Sequence, residues 1–302
     1  VKNPVPQIFD PRLIDIFRRR TAWRAAAAPA GFTAGGHNFL LARAAEDLQE
    51  RLALVNRRFA SALDLYSHTD LSANALRAGG KTGRIERIES LPELLGSTYP
   101  GRLCPAEELT LPPAQADLIV SLLSLHNFND IPGLLYRLRR ALKPDGLFLA
   151  ALCGAGTLAE LRASLLQAES ELYGGATPHV APFPDVREAG ALLQRAGFAL
   201  PVADSETIIV HYDNMFALMR DLRAFGAQNA LLARRRRPFS RRFFQRAAAI
   251  YAERFSNERG RIKAGFSFIW LSGWAPHHSQ QQPLRPGSAQ TSLAKILGNK
   301  ET

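Results

Sequence analysis

Cysteine is almost missing from this chain of 302 residues, with only Cys104 and Cys153 present. They stand far apart, so the sequence offers neither a metal-ligand spacing nor a disulfide framework, and a reducing compartment suits it. Lysine is scarce as well: of 38 basic residues only six are lysine and the rest are arginine. No apolar run approaches the ~18–20 residues that a bilayer-spanning helix needs. No charged start followed by a long apolar core marks a secretory signal, and no internal repeat is visible. Hydrophobic residues make up 46% and charged residues 22%. That composition excludes collagen-like, disulfide-stapled and wholly disordered chains and supports a substantial buried core.

What is in excess is positive charge, a formal +11. Such a surface favours anionic partners, an acidic protein or a membrane face among them. The densest cluster is Arg234-Arg235-Arg236-Arg237, with Arg241 and Arg242 beyond it. It reads as a docking surface for acidic protein or phospholipid headgroups, or as a solvated helix face. Phe239, Phe243 and Phe244 interleave it at helical spacing, which makes them core-facing and leaves nucleic acid a disfavoured partner. Nearer the start, Arg18-Arg19-Arg20-Thr21-Ala22-Trp23-Arg24 leads into an alanine-rich run, as a transit peptide or an ordinary solvated helix does.

Residues 11–56 carry apolar side chains at helical spacing and predict a helical extension. The pattern then changes. Residues 59–65, 84–89 and 116–125 predict strands, the last a nearly unbroken apolar run suited to a parallel sheet covered on both faces. A helix over 131–142, a turn at Lys143-Pro144-Asp145-Gly146 and a buried strand over 147–152 follow. Helices over 186–196, 214–225 and 239–255 and strands over 208–210 and 266–271 complete the series. Strand and helix in this rhythm predict an α/β fold with right-handed crossovers. Residues 1–56 are expected to form the helical extension, 57–275 the main domain and 276–302 an irregular tail rich in Gln, Pro and Ser.

The segment Ala116-Asp117-Leu118-Ile119-Val120-Ser121-Leu122-Leu123-Ser124-Leu125-His126, with Asn129-Asp130 and Leu142-Lys143-Pro144-Asp145-Gly146, resembles the fourth and fifth strands of class I S-adenosylmethionine (SAM) methyltransferases. More specific are Gly154-Ala155-Gly156-Thr157-Leu158, Ala168-Glu169 and Gly174-Gly175-Ala176-Thr177-Pro178-His179. They resemble the complex I assembly-factor family of protein-arginine hydroxylases and its bacterial relatives. Met215-Phe216-Ala217-Leu218-Met219 and Gly273-Trp274-Ala275-Pro276-His277-His278 fit the same family. The similarity runs over nearly the whole chain and extends, more loosely, to malonyl-acyl carrier protein methyltransferases. It implies a Rossmann-like, class I methyltransferase-like three-layer α/β/α sandwich with a helical insertion over 156–185 and an antiparallel last strand. It also implies SAM as cofactor, a protein substrate such as a respiratory complex I subunit, and either methyl transfer or arginine hydroxylation. The implied location is the bacterial cytoplasm or the matrix side of the mitochondrial inner membrane.

The resemblance places Asp64, Tyr66, His68, Glu89, Glu107 and Ser121 around the cofactor. Asp64 keeps the acid that follows the first strand. The glycine-rich turn after it reads Tyr66-Ser67-His68-Thr69-Asp70. Tyr66 and Asp70 stand where glycine lets the backbone approach the cofactor, and both disfavour its binding. Glu89, or Glu86, stands for the acid that grips the ribose, and Glu107 or Glu108 for the acid near the adenine. His126, just past the fourth strand, and His179, on a loop, are candidate bases for the acceptor's proton, or else capping and packing histidines. Trp270 and Trp274 read as core or rim aromatics and His277-His278 as a polar tail; no metal triad is readable. Two roles stay open: an enzyme that modifies a protein, and an assembly subunit that has lost its cofactor.

Overall fold

The computed structural model describes residues 6–26 and 38–281. Residues 27–37, part of the expected helical extension, and most of the expected tail lie outside the described residues. The strands are β1 (Phe59–Leu65), β2 (Thr82–Glu89), β3 (Gly101–Leu103), β4 (Ala116–Leu122), β5 (Leu142–Cys153), β6 (Ala199–Tyr212) and β7 (Ile262–Trp274). The helices are α1 (Pro11–Ala26), α2 (Phe39–Leu54), α3 (Leu71–Ala78), α4 (Pro92–Leu95), α5 (Ile131–Ala141), α6 (Ala159–Tyr173), α7 (Val186–Ala196), α8 (Met215–Ala224) and α9 (Arg241–Phe255). One sheet runs β3-β2-β1-β4-β5-β7-β6. The first five strands in that order are parallel, and β7 lies antiparallel to both β5 and β6. This is the class I methyltransferase architecture, antiparallel closing strand included.

The apolar run of β4 explains the layers. Leu118, Val120 and Leu122 face a core shared with α2, α3, α6, α8 and α9, while Ile119 faces a second core with α5 and α7. Side chains alternate along a strand, so a strand covered on both faces must be apolar throughout. Local signals fix the helix ends. The Asp130 carboxylate accepts the Gly133 N–H at 2.8 Å beside Pro132 in the first turn of α5. Asp185 and Glu188 form a reciprocal capping box on α7, and Gly197 closes that helix at φ +82°; such caps each contribute about 1 kcal/mol.

Four expectations are corrected. Lys143-Pro144-Asp145-Gly146 is no turn between elements but a bulge inside β5, where Asp145 takes φ +61° and the register with β4 shifts. β4 stops at Leu122 because Leu123 turns to φ +53°. β6 extends far beyond 208–210, as its inward and outward residues alternate at the sheet edge. The arginine run precedes α9 without being helical, and the Ser240 hydroxyl caps that helix by accepting the Phe243 N–H. The expected insertion carries one helix, α6, followed by irregular chain to Pro184.

The carboxyl ends of the parallel strands open into a cleft, the usual place for a site in such a sheet. α1 crosses its mouth. The Asn129 amide oxygen accepts the N–H groups of Ile8 and Phe9 at 2.8 and 2.9 Å, and Phe9 bridges to Leu231.

Candidate functional site

The cleft has two halves. The first lies over the ends of β1 and β2, where the β1–α3 turn folds back on itself. Tyr66 and His68 hold φ +54° and +64°, the region glycine would enter freely, at a cost of about 1–2 kcal/mol for each side chain. The Tyr66 ring is fully buried. It packs on Phe128 with ring centres 5.5 Å apart, and its hydroxyl donates to the Cys104 carbonyl at 3.3 Å. Beneath the turn, Arg87 points in from β2 with its side chain wholly buried. Its Nε donates to Asp64 at 3.2 Å, Nη1 to Asp70 at 2.6 Å and to the carbonyls of Leu94 and Leu95, and Nη2 to Glu89 at 3.2 Å and the Thr69 carbonyl at 3.0 Å.

Glu89 is likewise buried, and its Oε1 also accepts the His68 N–H at 2.9 Å. Burial pushes its carboxyl up to about 8 against the pull of Arg18 and Arg87. At neutral pH it is therefore largely protonated, with Oε2 left without a partner among the described residues. Burial raises Asp64 too, against the opposing effects of Arg87 and of hydrogen bonds such as the one from the Ser67 hydroxyl. Arg18 reaches in from α1, where Nη2 donates to the Ser124 hydroxyl at 2.7 Å, which in turn donates to the Tyr66 carbonyl. Ser121 donates to the Leu65 carbonyl at 2.8 Å and stays buried. Glu107 lies apart, where it accepts the Asn129 backbone and side-chain N–H groups and so braces the loop that holds α1.

The second half is an open cavity of about 670 Å³, lined by Phe17, Arg18, His126, His179 and Phe239 among others and bordered on the turn side by His68, Thr69, Asp70 and Gly96. That volume suits a small molecule or an inserted side chain. His126 Nδ1 accepts the Cys153 N–H at 3.2 Å, and the ring meets Phe183 edge-on. Burial, with the Arg18 charge nearby, lowers His126 to about 3. The ring is neutral, and because Nδ1 accepts, its proton sits on Nε2. His68 falls well below its ordinary value through burial and the same neighbouring charge. On the opposite wall, His179 Nε2 stands 2.8 Å from Glu169 and its ring stacks on Phe243. Glu169 also accepts the Thr177 N–H at 2.8 Å and the Thr177 hydroxyl at 3.0 Å. Burial would raise Glu169, but those hydrogen bonds outweigh it and hold the group below its usual range. A carboxylate so placed fixes the His179 proton on Nε2 and leaves Nδ1 as the basic nitrogen.

Of the residues singled out in the sequence, the fold brings His68, His126 and His179 to the cleft. It sets Asp64, Tyr66, Glu89 and Ser121 beneath the cleft floor. Arg18, Arg87 and Glu169 were not assigned from the sequence. Arg87 had no signal beyond a charge in a strand that alternates. Glu169 stood within a family motif, eight residues before Thr177 and ten before His179. Among the described residues no three His, Cys, Asp or Glu side chains converge as a metal site. S-adenosylmethionine, the cofactor this fold implies, does not fit the residues present. Its nucleoside would have to displace the Tyr66 ring and reach Glu89, which is turned inward and bonded to Arg87.

Residues 54–150 match the model of the methyltransferase-domain family. The chain is 49% identical to the mitochondrial arginine-hydroxylase NDUFAF5 of Dictyostelium discoideum over 60% of its length, though it spans only 42% of that protein. The human arginine-hydroxylase NDUFAF5 is 34% identical, with 95% of this chain and 84% of the relative covered. A malonyl-[acyl-carrier protein] O-methyltransferase of Laribacter hongkongensis is 34% identical across 78% and 83%. Among solved structures, the YcgJ protein of a Bacillus species shares the fold at 15% identity, TM-score 0.53, over 78% of this chain and 99% of that one. The chain belongs to the arginine-hydroxylase family of the class I methyltransferase superfamily, beside the malonyl-[acyl-carrier protein] O-methyltransferases.

Proposed function

We propose that the chain acts on a protein substrate, an arginine-bearing segment of a respiratory complex I subunit that enters the open half of the cleft. It does so on the matrix side of the mitochondrial inner membrane or in the bacterial cytoplasm. The observation that carries this reading is the His179–Glu169 pair, held at 2.8 Å on the wall of an open cavity. The methyltransferase-domain match and the relationship to arginine hydroxylases support an enzyme.

Each residue has a definable part. His179, oriented by Glu169, accepts a proton through Nδ1, and the stack on Phe243 fixes its plane. His126 presents Nε2–H as a donor and, being neutral, adds no charge to the cavity. Phe17, Phe239 and Phe243 exclude water from whatever enters. Next to Arg234 and Arg235, which line the cavity, Arg236 and Arg237 are exposed and meet acidic protein or anionic headgroups.

Mass spectrometry of complex I subunits tests the reading in cells with the wild-type chain, with none, and with His179→Ala. An arginine that with wild type gains one oxygen atom, taken from dioxygen whose other atom leaves as water with two electrons from an external reductant, should lose it both without the chain and with His179→Ala. A second reading, an assembly subunit without catalysis, is favoured by the filled cofactor half. It requires the opposite pattern: complex I lost without the chain, restored by His179→Ala, and no change in any arginine.

A further inference from the structure

The cofactor half is not merely narrowed by a bulky turn; it is filled by charge and by hydrogen-bond donors. SAM brings an ammonium and a sulfonium, and a site for it needs acids left free to face them. Here the two acids at the ends of β1 and β2, Asp64 and Glu89, are both bound to one guanidinium. Arg87 engages all three of its nitrogens, with three carboxyl groups and three carbonyls as acceptors. The carbonyls come from the β1–α3 turn and from the end of α4, so the side chain ties together the segments that would otherwise close around a ligand.

We infer that Arg87, with Arg18 beside it, is a built-in occupant of the cofactor site, and that the chain neither binds SAM nor gains stability from it. Three features support this. The Arg87 side chain is shut off from solvent, as Tyr66, Asp64 and Glu89 are, and of its three acids only Asp70 keeps an edge on the open cavity. The turn holds two non-glycine residues at positive φ, and its Tyr66 ring is buried against Phe128 with its hydroxyl on the Cys104 carbonyl. Gly96, after α4, packs against Asp70 and Arg87, where a Cβ would come within 3.2 Å of the Asp70 carboxylate.

The test uses the wild-type chain first. Calorimetric titration and thermal unfolding with SAM and S-adenosylhomocysteine, to about 1 mM, should give no saturable heat and no change in Tm. A ligand present at about a hundred times its Kd would raise Tm by several degrees. Saturable binding with Kd below about 100 µM overturns the inference. The second arm uses Arg87→Ala, which leaves a guanidinium-sized space between Asp64, Asp70 and Glu89. Guanidinium chloride at a few millimolar should raise the Tm of this variant and not that of wild type. A folded variant that shows no such rescue overturns the occupant role. Should Arg87→Ala not fold, the wild-type titration alone decides.

Discussion

The two halves of the cleft sit on neighbouring strand ends and are solved in opposite ways. Over β1 and β2, polar groups meet one another: Asp64, Asp70 and Glu89 face Arg87, and apart from Glu89 Oε2 the acids that would face a ligand are engaged inside the chain. Over β4 and β5, polar groups stay available: His126 keeps an Nε2–H and His179 keeps Nδ1, each fixed through its other nitrogen. One scaffold therefore holds a strand-end region packed as core and a neighbouring one that lines an open cavity. Strand ends supply only the location; whether the side chains there are satisfied by one another decides what the location does.

The largest way to break the contrast is Arg87→Met. It removes one partner of a buried ionic cluster and leaves Asp64 and Glu89 facing apolar surroundings, so stability should fall by about 3–5 kcal/mol in urea unfolding. A loss under about 1 kcal/mol would show that the cofactor half is not held together by charge.

Stability against pH sharpens the contrast next, because the halves act on opposite flanks. Glu89 has a folded pKa of about 8 against 4.5 unfolded. Its contribution is full below about pH 4.5 and is lost as pH rises towards 8. His126 is lowered to about 3 from 6.5, so its contribution is full above pH 6.5 and is lost as pH falls towards 3. Each pKa unit is worth about 1.4 kcal/mol, so each flank moves by a few kcal/mol. Glu89→Gln should flatten the alkaline flank and His126→Gln the acid one, in denaturant titrations at stepped pH. A variant that flattens the wrong flank, or neither, refutes the assignment.

The smallest effect is expected at Tyr66→Phe. The ring stays in place and one neutral hydrogen bond to the Cys104 carbonyl is lost, for a cost of about 1 kcal/mol in Tm-derived stability. Its SAM titration should remain blank, since the ring and not the hydroxyl fills the space.

Much of the frame was legible in the sequence. The unbroken apolar run of β4 demanded cover on both faces, and the helices expected over 131–142, 186–196 and 214–225 end within a residue of those in the structure. The Lys143-Pro144-Asp145-Gly146 stretch misled because its residues suit a turn, while the pairing of β5 with its neighbours carries the strand through as a bulge. β6 was underread since an edge strand with one exposed face lacks a continuous apolar signal. In the site, the missing glycines announced trouble at Tyr66 and Asp70. Burial of Arg87 did not show, because Arg84-Ile85-Glu86-Arg87-Ile88-Glu89 alternates like a half-exposed strand and only the tertiary fold reveals which charges turn inward. Glu169 lay ten residues from His179, a separation that helix α6 and the loop after it convert into contact.

The six-acceptor hold on Arg87 also makes its neighbours depend on one another. Placing glycine at position 66 would open a void without releasing Asp64 or Glu89, and exchanging Arg87 alone would strand both acids. Substitutions around this cluster are therefore expected to be strongly non-additive, whereas those on the open side of the cleft combine more independently.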